Sequence, residues 1–471
     1  MLKFPHMRVE PSIFKAYDIR GIYPKDLDAS TAYALGRAFS TLLLKRQGTK
    51  KLKIAVGADM RLSSPELKEN FMNGVADSGI DVDDIGCVST PTFYFCVAYF
   101  GYDGGAQVSA SHNPKEWNGF KLVGKRSSPI GKDDGIGEME KMIGRDDFVD
   151  LAGEAKGIMG QRADVVAREI TVQRGIPQLS GDKSIKPFKI AIDAGNGMGS
   201  EDMKALFQTL PCSVVWMNST PDGNFPAHPP DPMDEKNNRD LQKKIVAEKC
   251  DVGIAIDGDA DRYFFFDEKG QLVPQEIMRG LMAQIEIRDN PGATVVYDIR
   301  PGKITTDLID EAGGRAIRAP VGHSLIKKAM LVEDAVFGAE SSGHYFYKLP
   351  YGTFEAPIVL LMKFLTFLTK EDKLLSEIVA PHKKYSNSGE INTRLNTREE
   401  GIAALARVQA AYVDGTQNTV DGLSVEYPDF WFNVRLSNTE PLIRLIVEAL
   451  DKGVMEKKRG EIVAVIRNML K

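Results

Sequence analysis

Cysteine is scarce in this 471-residue chain: there are four, Cys87, Cys96, Cys212 and Cys250, and no two stand at metal-finger or redox spacing. They read as buried thiols of a reducing compartment, which makes the cytosol the expected location. An excess of positive charge is also missing, since 60 Lys and Arg face 65 Asp and Glu for a formal charge of -5. Such a chain carries no electrostatic footprint for nucleic acid or for an anionic membrane. Long apolar runs are absent as well. The greasiest stretch, Pro357 to Leu368, is short and interrupted by Lys363, so no membrane span is expected. The opening Met1-Leu2-Lys3-Phe4-Pro5-His6 lacks the apolar region of a signal peptide. What is present is globular in character, with 43% hydrophobic and 27% charged residues, which argues against large disordered tracts.

At about 150 residues per domain, the length predicts three or four units. Apolar β-branched runs alternate with loops and amphipathic stretches, the pattern of α/β layering. Strands are expected at Lys53–Gly57, Ala106–Ser109, Lys189–Asp193, Cys212–Met217, Val252–Ile256, Ala293–Tyr297, Ala316–Ala319 and Ala335–Phe337. Helices are expected at Ser64–Ser78, Glu201–Leu210, Asn237–Lys249, Gln275–Ile287, Thr305–Ala312 and Leu325–Leu331. The last hundred residues differ. There a helix at Arg398–Tyr412, strands near Leu423–Tyr427, Phe430–Arg435 and Ile443–Val447, and a helix at Glu456–Leu470 predict a compact α+β unit. Seams are expected at Gly153–Gly160, Asp267–Gly270 and Lys370–Lys373, giving domains 1–157, 158–268, 269–373 and 374–471. No strict sequence repeat accompanies the three α/β cycles.

Four short polar segments carry chemistry. Ser109-Ala110-Ser111-His112-Asn113-Pro114 follows a strand, where α/β sheets place functional loops. An isolated serine there is more often a helix N-cap, but His112 and Lys121 supply the base or cation that a nucleophilic hydroxyl needs. Asp257, Asp259 and Asp261 alternate after a buried strand, a spacing that lets three carboxylates converge on a hard cation such as Mg²⁺. An EF-hand is disfavoured by Arg262 at its sixth position and by the strand-like Tyr263–Phe266. An aspartyl-phosphate phosphatase and a solvated acidic turn stay open. Glu340, Ser342 and His344 sit in a glycine-bounded loop with the acceptors and donors that sugar hydroxyls need. Arg435, Ser437, Asn438, Thr439 and Arg444 bracket a turn suited to phosphate oxygens. Gly195-Asn196-Gly197-Met198-Gly199 has glycine spacing one residue short of a dinucleotide fingerprint and reads as a tight strand-to-helix turn.

Taken with Phe14–Gly21, Gly57–Ser63, Asp222–Pro226 and Val321–Ser324, these segments make the chain resemble the α-D-phosphohexomutase superfamily, in particular its phosphomannomutase/phosphoglucomutase branch. The resemblance runs from Phe14 to Arg444. It implies a monomer of three similar mixed α/β domains plus a C-terminal α+β domain around a central cleft. It further implies that Ser111 carries a phosphoryl group and that Asp257, Asp259 and Asp261, with an oxygen on Ser111, hold Mg²⁺. Arg20, Lys121, Arg262 and His323 match residues around the transferring group, and Tyr17 and His344 match nearby cleft residues. Glu340 and Ser342 match readers of the sugar 3- and 4-hydroxyls; Arg435, Ser437, Asn438, Thr439 and Arg444 match the phosphate cradle.

The implied reaction interconverts mannose 6-phosphate and mannose 1-phosphate, and the glucose phosphates too, through a phosphoserine and a hexose 1,6-bisphosphate that also serves as activator. Two departures from the family pattern bear on sugar choice: Arg300 stands where a lysine is usual, and Pro350-Tyr351-Gly352-Thr353 replaces an acidic segment. A metal-dependent sugar-phosphate phosphatase and a non-catalytic sugar-phosphate sensor are the competing functions.

Overall fold

A computed structural model of the chain describes residues 9–49, 51–149, 156–176, 185–300, 302–437 and 441–467. These residues fall into two compact units: Met1–Val273 with Ser342–Ser376, and Pro274–Ser341 with Glu377–Lys471.

The first unit opens with a six-stranded mixed sheet. Its strands are β1 (Ile19–Ile22), β2 (Lys53–Ala58), β3 (Asp81–Cys87), β4 (Gly104–Val108), β5 (Trp117–Gly124) and β6 (Met159–Gln161), in the order β1-β5-β4-β2-β3-β6. The β2, β3, β4 and β6 pairings are parallel, whereas β5 runs antiparallel to β1 and β4. Central β4 is buried throughout, as expected for a strand covered on both faces. The Ala29–Gln47 helix starts where Asp28 accepts the Thr31 N–H at 2.8 Å, filling one of the orphan donors of a helix start. With the Ser64–Asp77 helix it lays Phe39 and Phe71 onto the sheet, where Phe71 stacks on Phe120 at 5.1 Å between ring centroids.

A four-stranded sheet follows, with β7 (Lys189–Asp193), β8 (Ser213–Met217), β9 (Val252–Ile256) and β10 (Tyr263–Phe266) in the order β10-β9-β7-β8. Only β10 is antiparallel to its neighbour, so β9 and β10 form a hairpin whose connection is Asp257–Arg262. The expected helix at Glu201–Leu210 runs instead over Gly199–Phe207, and its last residues become a turn closed by Thr209 N–H to Leu206 O. The same unit includes a hairpin of β14 (Tyr345–Leu349) and β15 (Gly352–Glu355), followed by the buried Pro357–Glu371 helix.

In the second unit β11 (Thr294–Asp298) pairs in parallel with both β12 (Arg315–Ala319) and β13 (Phe337–Ala339). The strand expected at Ala335–Phe337 therefore begins two residues later. Asp334 takes a left-handed φ of 53° and Ala335 N–H still bonds back to Met330 O, so the end of the preceding helix consumes these positions. The C-terminal sheet contains β16 (Ser386–Asn387), β17 (Ile391–Arg394), β18 (Thr416–Asn418), β19 (Leu423–Glu426), β20 (Phe430–Leu436) and β21 (Leu442–Ala449). Its order is β16-β21-β20-β19-β18, with β17 also on β21, and every pairing is antiparallel. Helices Arg398–Ala411 and Lys452–Arg467 bury Ala404, Val408, Ile462 and Ile466 with Phe432 and Val447 of this sheet. The last helix starts four residues earlier than expected, and its expected end lies outside the described residues.

Candidate active site

Ser111 lies just beyond the carboxyl end of β4, and it caps no helix. It sits in a tight turn with a left-handed φ of 51°, a conformation that costs a non-glycine residue about 1–3 kcal/mol and persists only where its surroundings dictate it. Arg61 supplies that constraint. Its buried guanidinium donates to the carbonyls of Ser111 (2.8 Å), Asn113 (2.7 Å), Pro114 (2.8 Å) and Trp117 (2.9 Å), and its Nε to Asp59 (3.1 Å). The Ser111 N–H donates to Ser109 Oγ at 2.9 Å. So held, the Ser111 hydroxyl donates to Asp257 Oδ2 at 2.9 Å and lies 3.1 Å from His112 Nδ1. Burial, followed by the Arg262 and Arg20 cations, pushes His112 far below its ordinary range, so the imidazole is neutral.

The acidic loop is reached by close backbone approach. A Cβ on Gly258 would lie 2.6 Å from Ser111 O, and one on Gly197 would lie 2.6 Å from Gly258 O, so only glycines let the three segments stack. This confirms a structural role for the Gly195–Gly199 turn. Asp257 Oδ1 accepts the Asp261 and Arg262 N–H groups, both at 3.1 Å, which closes the loop on itself. Asp259 Oδ2 accepts from Thr90 Oγ1 (2.6 Å), Lys121 Nζ (2.6 Å) and Ser109 Oγ (3.3 Å). Asp261 pairs with Lys121 and, at 3.1 Å, with His344 Nε2.

All three aspartates are buried, at 0–2% exposure, so the loop is not a solvated turn. Each offers a carboxylate oxygen within 4.8 Å of the others, and Asp259 Oδ1 is buried with no hydrogen-bond partner among the described residues. An orphaned anionic oxygen beside a converging all-oxygen donor set fits a hard divalent cation. The electrostatics agree. Burial, then the Asp261 and Asp259 charges, push Asp257 well above the usual carboxylate range. At Asp261 the same burial is outweighed by the Lys121 ammonium and by His344, which hold it well below that range. Burial likewise works against the charge on Lys121, but Asp259 and Asp261 keep it firmly protonated.

The first unit therefore brings together Ser111, Lys121, Arg262, His344 and the three aspartates. Arg262 Nε lies 3.9 Å from Asp257 Oδ2 and 3.4 Å from His344 Nε2. Arg20 on β1 donates to Asn113 Oδ1 of the serine turn and pairs with Asp18. Tyr17 is half-buried two residues before β1. Ser342 is buried with its Oγ 2.9 Å from His344 Nδ1, so it sets the ring that faces Asp261.

The second unit holds the other candidates. Glu340 is buried and accepts the Gly322 N–H at 2.8 Å, next to His323 at the start of the His323–Val332 helix. Arg300 is tied to Asp298 at 2.7 Å, which is itself clasped by buried Arg279 and by Ser341. Arg435 and Arg444 are direct cross-strand partners on β20 and β21, and Arg444 reaches Ser437 Oγ at 3.4 Å. Burial, then Arg300, push the Arg435 guanidinium below its ordinary range. Asn438 and Thr439 lie outside the described residues.

Sequence reasoning missed several contributors. Thr90 and Ser109 donate to Asp259, and Arg61 fixes the serine turn. Glu355 on β15 is buried with a carboxylate oxygen within 4.8 Å of ligand atoms on Asp261 and His344. Arg61 lies inside the Gly57–Ser63 segment and was within reach; Glu355 ends the β14–β15 hairpin and belongs to no motif.

Comparison with known proteins agrees along the whole chain. Family models described as phosphoglucomutase/phosphomannomutase alpha/beta/alpha domains I, II and III match residues 11–150, 173–270 and 275–385, and the C-terminal domain model matches 390–465. The phosphomannomutase of Escherichia coli strain K12 is 35% identical over 458 residues, 94% of this chain and 96% of that one. The phosphomannomutase/phosphoglucomutase of Pseudomonas aeruginosa is 34% identical over 463 residues, 98% and 96% of the two chains. A crystal structure of a phosphoglucomutase/phosphomannomutase family protein from Burkholderia thailandensis superposes with a TM-score of 0.87 at 31% identity, covering 98% of both chains. With homology at this level from end to end and a buried serine set against three aspartates, the chain belongs to the phosphoglucomutase/phosphomannomutase family of isomerases.

Proposed function

We propose that the protein interconverts mannose 6-phosphate and mannose 1-phosphate, and the corresponding glucose phosphates, with Ser111 as the phosphoryl carrier. The observation that carries this reading is the Ser111 hydroxyl, buried and directed at Asp257 2.9 Å away beside the Lys121–Asp259 pair. Names of relatives as phosphomannomutase and phosphomannomutase/phosphoglucomutase support the choice of sugars.

Phosphorylated Ser111 gives its phosphoryl group to the free hydroxyl of a hexose monophosphate, forming a 1,6-bisphosphate and leaving the serine hydroxyl free. The other phosphoryl group then passes from the sugar back to Ser111, releasing the isomer, so each half-reaction breaks one P–O bond and forms one. Mg²⁺ held by Asp257, Asp259, Asp261 and an oxygen on Ser111 would supply Lewis-acid neutralisation of the transferring group. Lys121, Arg20 and Arg262 offset charge in the same region, as phosphoryl transfer requires. His323 and Tyr17 complete the proposed surroundings of the reacting group. Glu340, Ser342 and His344 read the sugar, whose 3- and 4-hydroxyls are the same in mannose and glucose. Arg435, Ser437, Asn438, Thr439 and Arg444 hold whichever phosphate is not reacting. We further propose domain limits at 157/158, 268/269 and 373/374, a cytoplasmic monomer, and activation by hexose 1,6-bisphosphate. No described helix is long and apolar enough to cross a membrane.

Intact-mass analysis of the purified protein tests the central claim. A fraction should carry one phosphoryl group, mapped to the Ala110-Ser111-His112 peptide, and Ser111→Ala should lose both the label and nearly all isomerisation of mannose 1-phosphate. Normal turnover in that variant sinks the assignment. Release of inorganic phosphate in place of isomer would make the protein a phosphatase, and binding without turnover a sensor.

A further inference from the structure

Two guanidiniums face each other across a strand pair in the C-terminal sheet. Arg435 and Arg444 occupy the same register position on β20 and β21, an arrangement in which like charges repel. Arg435 is also nine-tenths buried, with its side chain 8% exposed, and Arg300 adds a third positive charge to its surroundings. Burying an excess of cation in this way is costly unless an anion shares the space.

Two carboxylates do: Asp421 adds negative charge to the surroundings of Arg435, and Glu390 makes direct contact. Glu390, immediately before β17, places Oε2 2.8 Å from Arg435 Nη2 and Oε1 3.2 Å from Arg444 Nη1. Its two oxygens each take one guanidinium, so a single side chain bridges both. Arg435 keeps its Nε buried and without a hydrogen bond among the described residues, a donor still available to another acceptor. Guanidinium forks of this kind suit the oxygens of a phosphate monoester, and those oxygens would compete with Glu390 for the same donors.

We propose that Glu390 is an internal counter-anion of the phosphate cradle: it engages Arg435 and Arg444 in competition with the substrate phosphate and thereby keeps that phosphate exchangeable. The inference rests on reading Arg435 and Arg444 as phosphate ligands. A mutase that must hold the same group at either end of a sugar has use for a cradle that grips without trapping. Glu390 touches no reacting atom and acts only through the two arginines, which makes it a positioning residue.

Titration of the full chain with inorganic phosphate at low ionic strength tests it. Glu390→Gln should bind phosphate about tenfold more tightly than wild type, because the competing charge is gone, and the gain should shrink as salt is raised. In turnover, KM and kcat should fall together for both hexose phosphates, while Glu390→Asp, which keeps the charge, should stay near wild type. Phosphate binding by Glu390→Gln that is unchanged or weaker, in a variant whose circular dichroism and melting match wild type, overturns the proposal and makes Glu390 a structural brace. Arg435→Ala separates the two levels of the argument. If it loses phosphate affinity while Glu390→Gln gains none, only the counter-anion role is wrong. If Arg435→Ala binds phosphate as wild type does, the cradle reading fails and takes this inference with it.

Discussion

The loop Asp257–Arg262 and the pair Arg435/Arg444 are opposite answers to the problem of presenting charge inside a protein. In the loop, three buried carboxylates share Lys121, Arg262 and His344 and are further locked by Thr90 and Ser109. In the pair, guanidiniums outnumber the one bridging carboxylate, and Arg444 remains 24% exposed. Because the strength of a charge rises as water is excluded, the loop is suited to a small fixed ion and to steps where charge moves. The half-open arginine pair is suited to a group that must come and go. Charges of one sign converge at both places, and the degree of burial separates them.

The sharpest way to break this contrast is to neutralise the loop. Asp259→Asn removes the negative charge shared by Lys121, Thr90 and Ser109, and activity should fall by about 10³-fold or more with the fold retained. Chelation should abolish turnover in the wild type and Mg²⁺ restore it; full activity in metal-free buffer would show that the acid loop is not a cation site. Arg435→Ala should have a smaller effect, spread over both ends of the substrate. A charge-assisted hydrogen bond is worth about 1.5–3 kcal/mol, so kcat/KM should drop by roughly 10- to 150-fold for the 1-phosphate and the 6-phosphate alike. Damage confined to one isomer would mean that the arginine pair serves a single binding orientation.

The smallest effect belongs to a balanced pair, His228–Asp193, whose charges meet one to one at 3.1 Å. Burial works against the charge on His228, but the Asp193 hydrogen bond and charge outweigh it and hold His228 above its ordinary 6.5. Burial raises Asp193, and His228 more than reverses this, leaving it below its ordinary 3.8. The pair's contribution is therefore fully present between about pH 4 and 6.5. It fades as pH rises through the elevated His228 value, or falls through the depressed Asp193 value. His228→Gln should cost about 1 kcal/mol or less in urea unfolding at pH 5.5, and the difference should narrow by pH 9. An equal cost at both values would show that the imidazole is neutral throughout.

Legibility in the sequence followed contiguity. The runs Val252–Ile256 and Tyr263–Phe266 read as strands because they are buried throughout, and the acid loop between them stood out as a motif. The Thr90–Tyr99 helix went unread because all but its last residue are buried, leaving no amphipathic period to detect. Its first residue is nonetheless a partner of Asp259, 169 positions away. Ser111, Lys121 and the aspartates were visible because the resemblance singles out their motifs. Glu355 and Glu390 were not, since each acts through residues that only the fold brings near.

The first unit is assembled from two stretches of chain, ending at Val273 and resuming at Ser342. That discontinuity imposes an order of events during synthesis. Asp261 leaves the ribosome long before His344, its partner at 3.1 Å, and at about 5–20 residues per second the wait is on the order of 4–16 seconds. Over that interval the acid loop has Lys121 and Thr90 but neither His344 nor the β14–β15 hairpin that carries Glu355. The charge-dense centre of the nascent protein is thus completed late, after the second unit's parallel strands β11, β12 and β13 have been made, and premature termination anywhere before residue 344 leaves it permanently short of one wall.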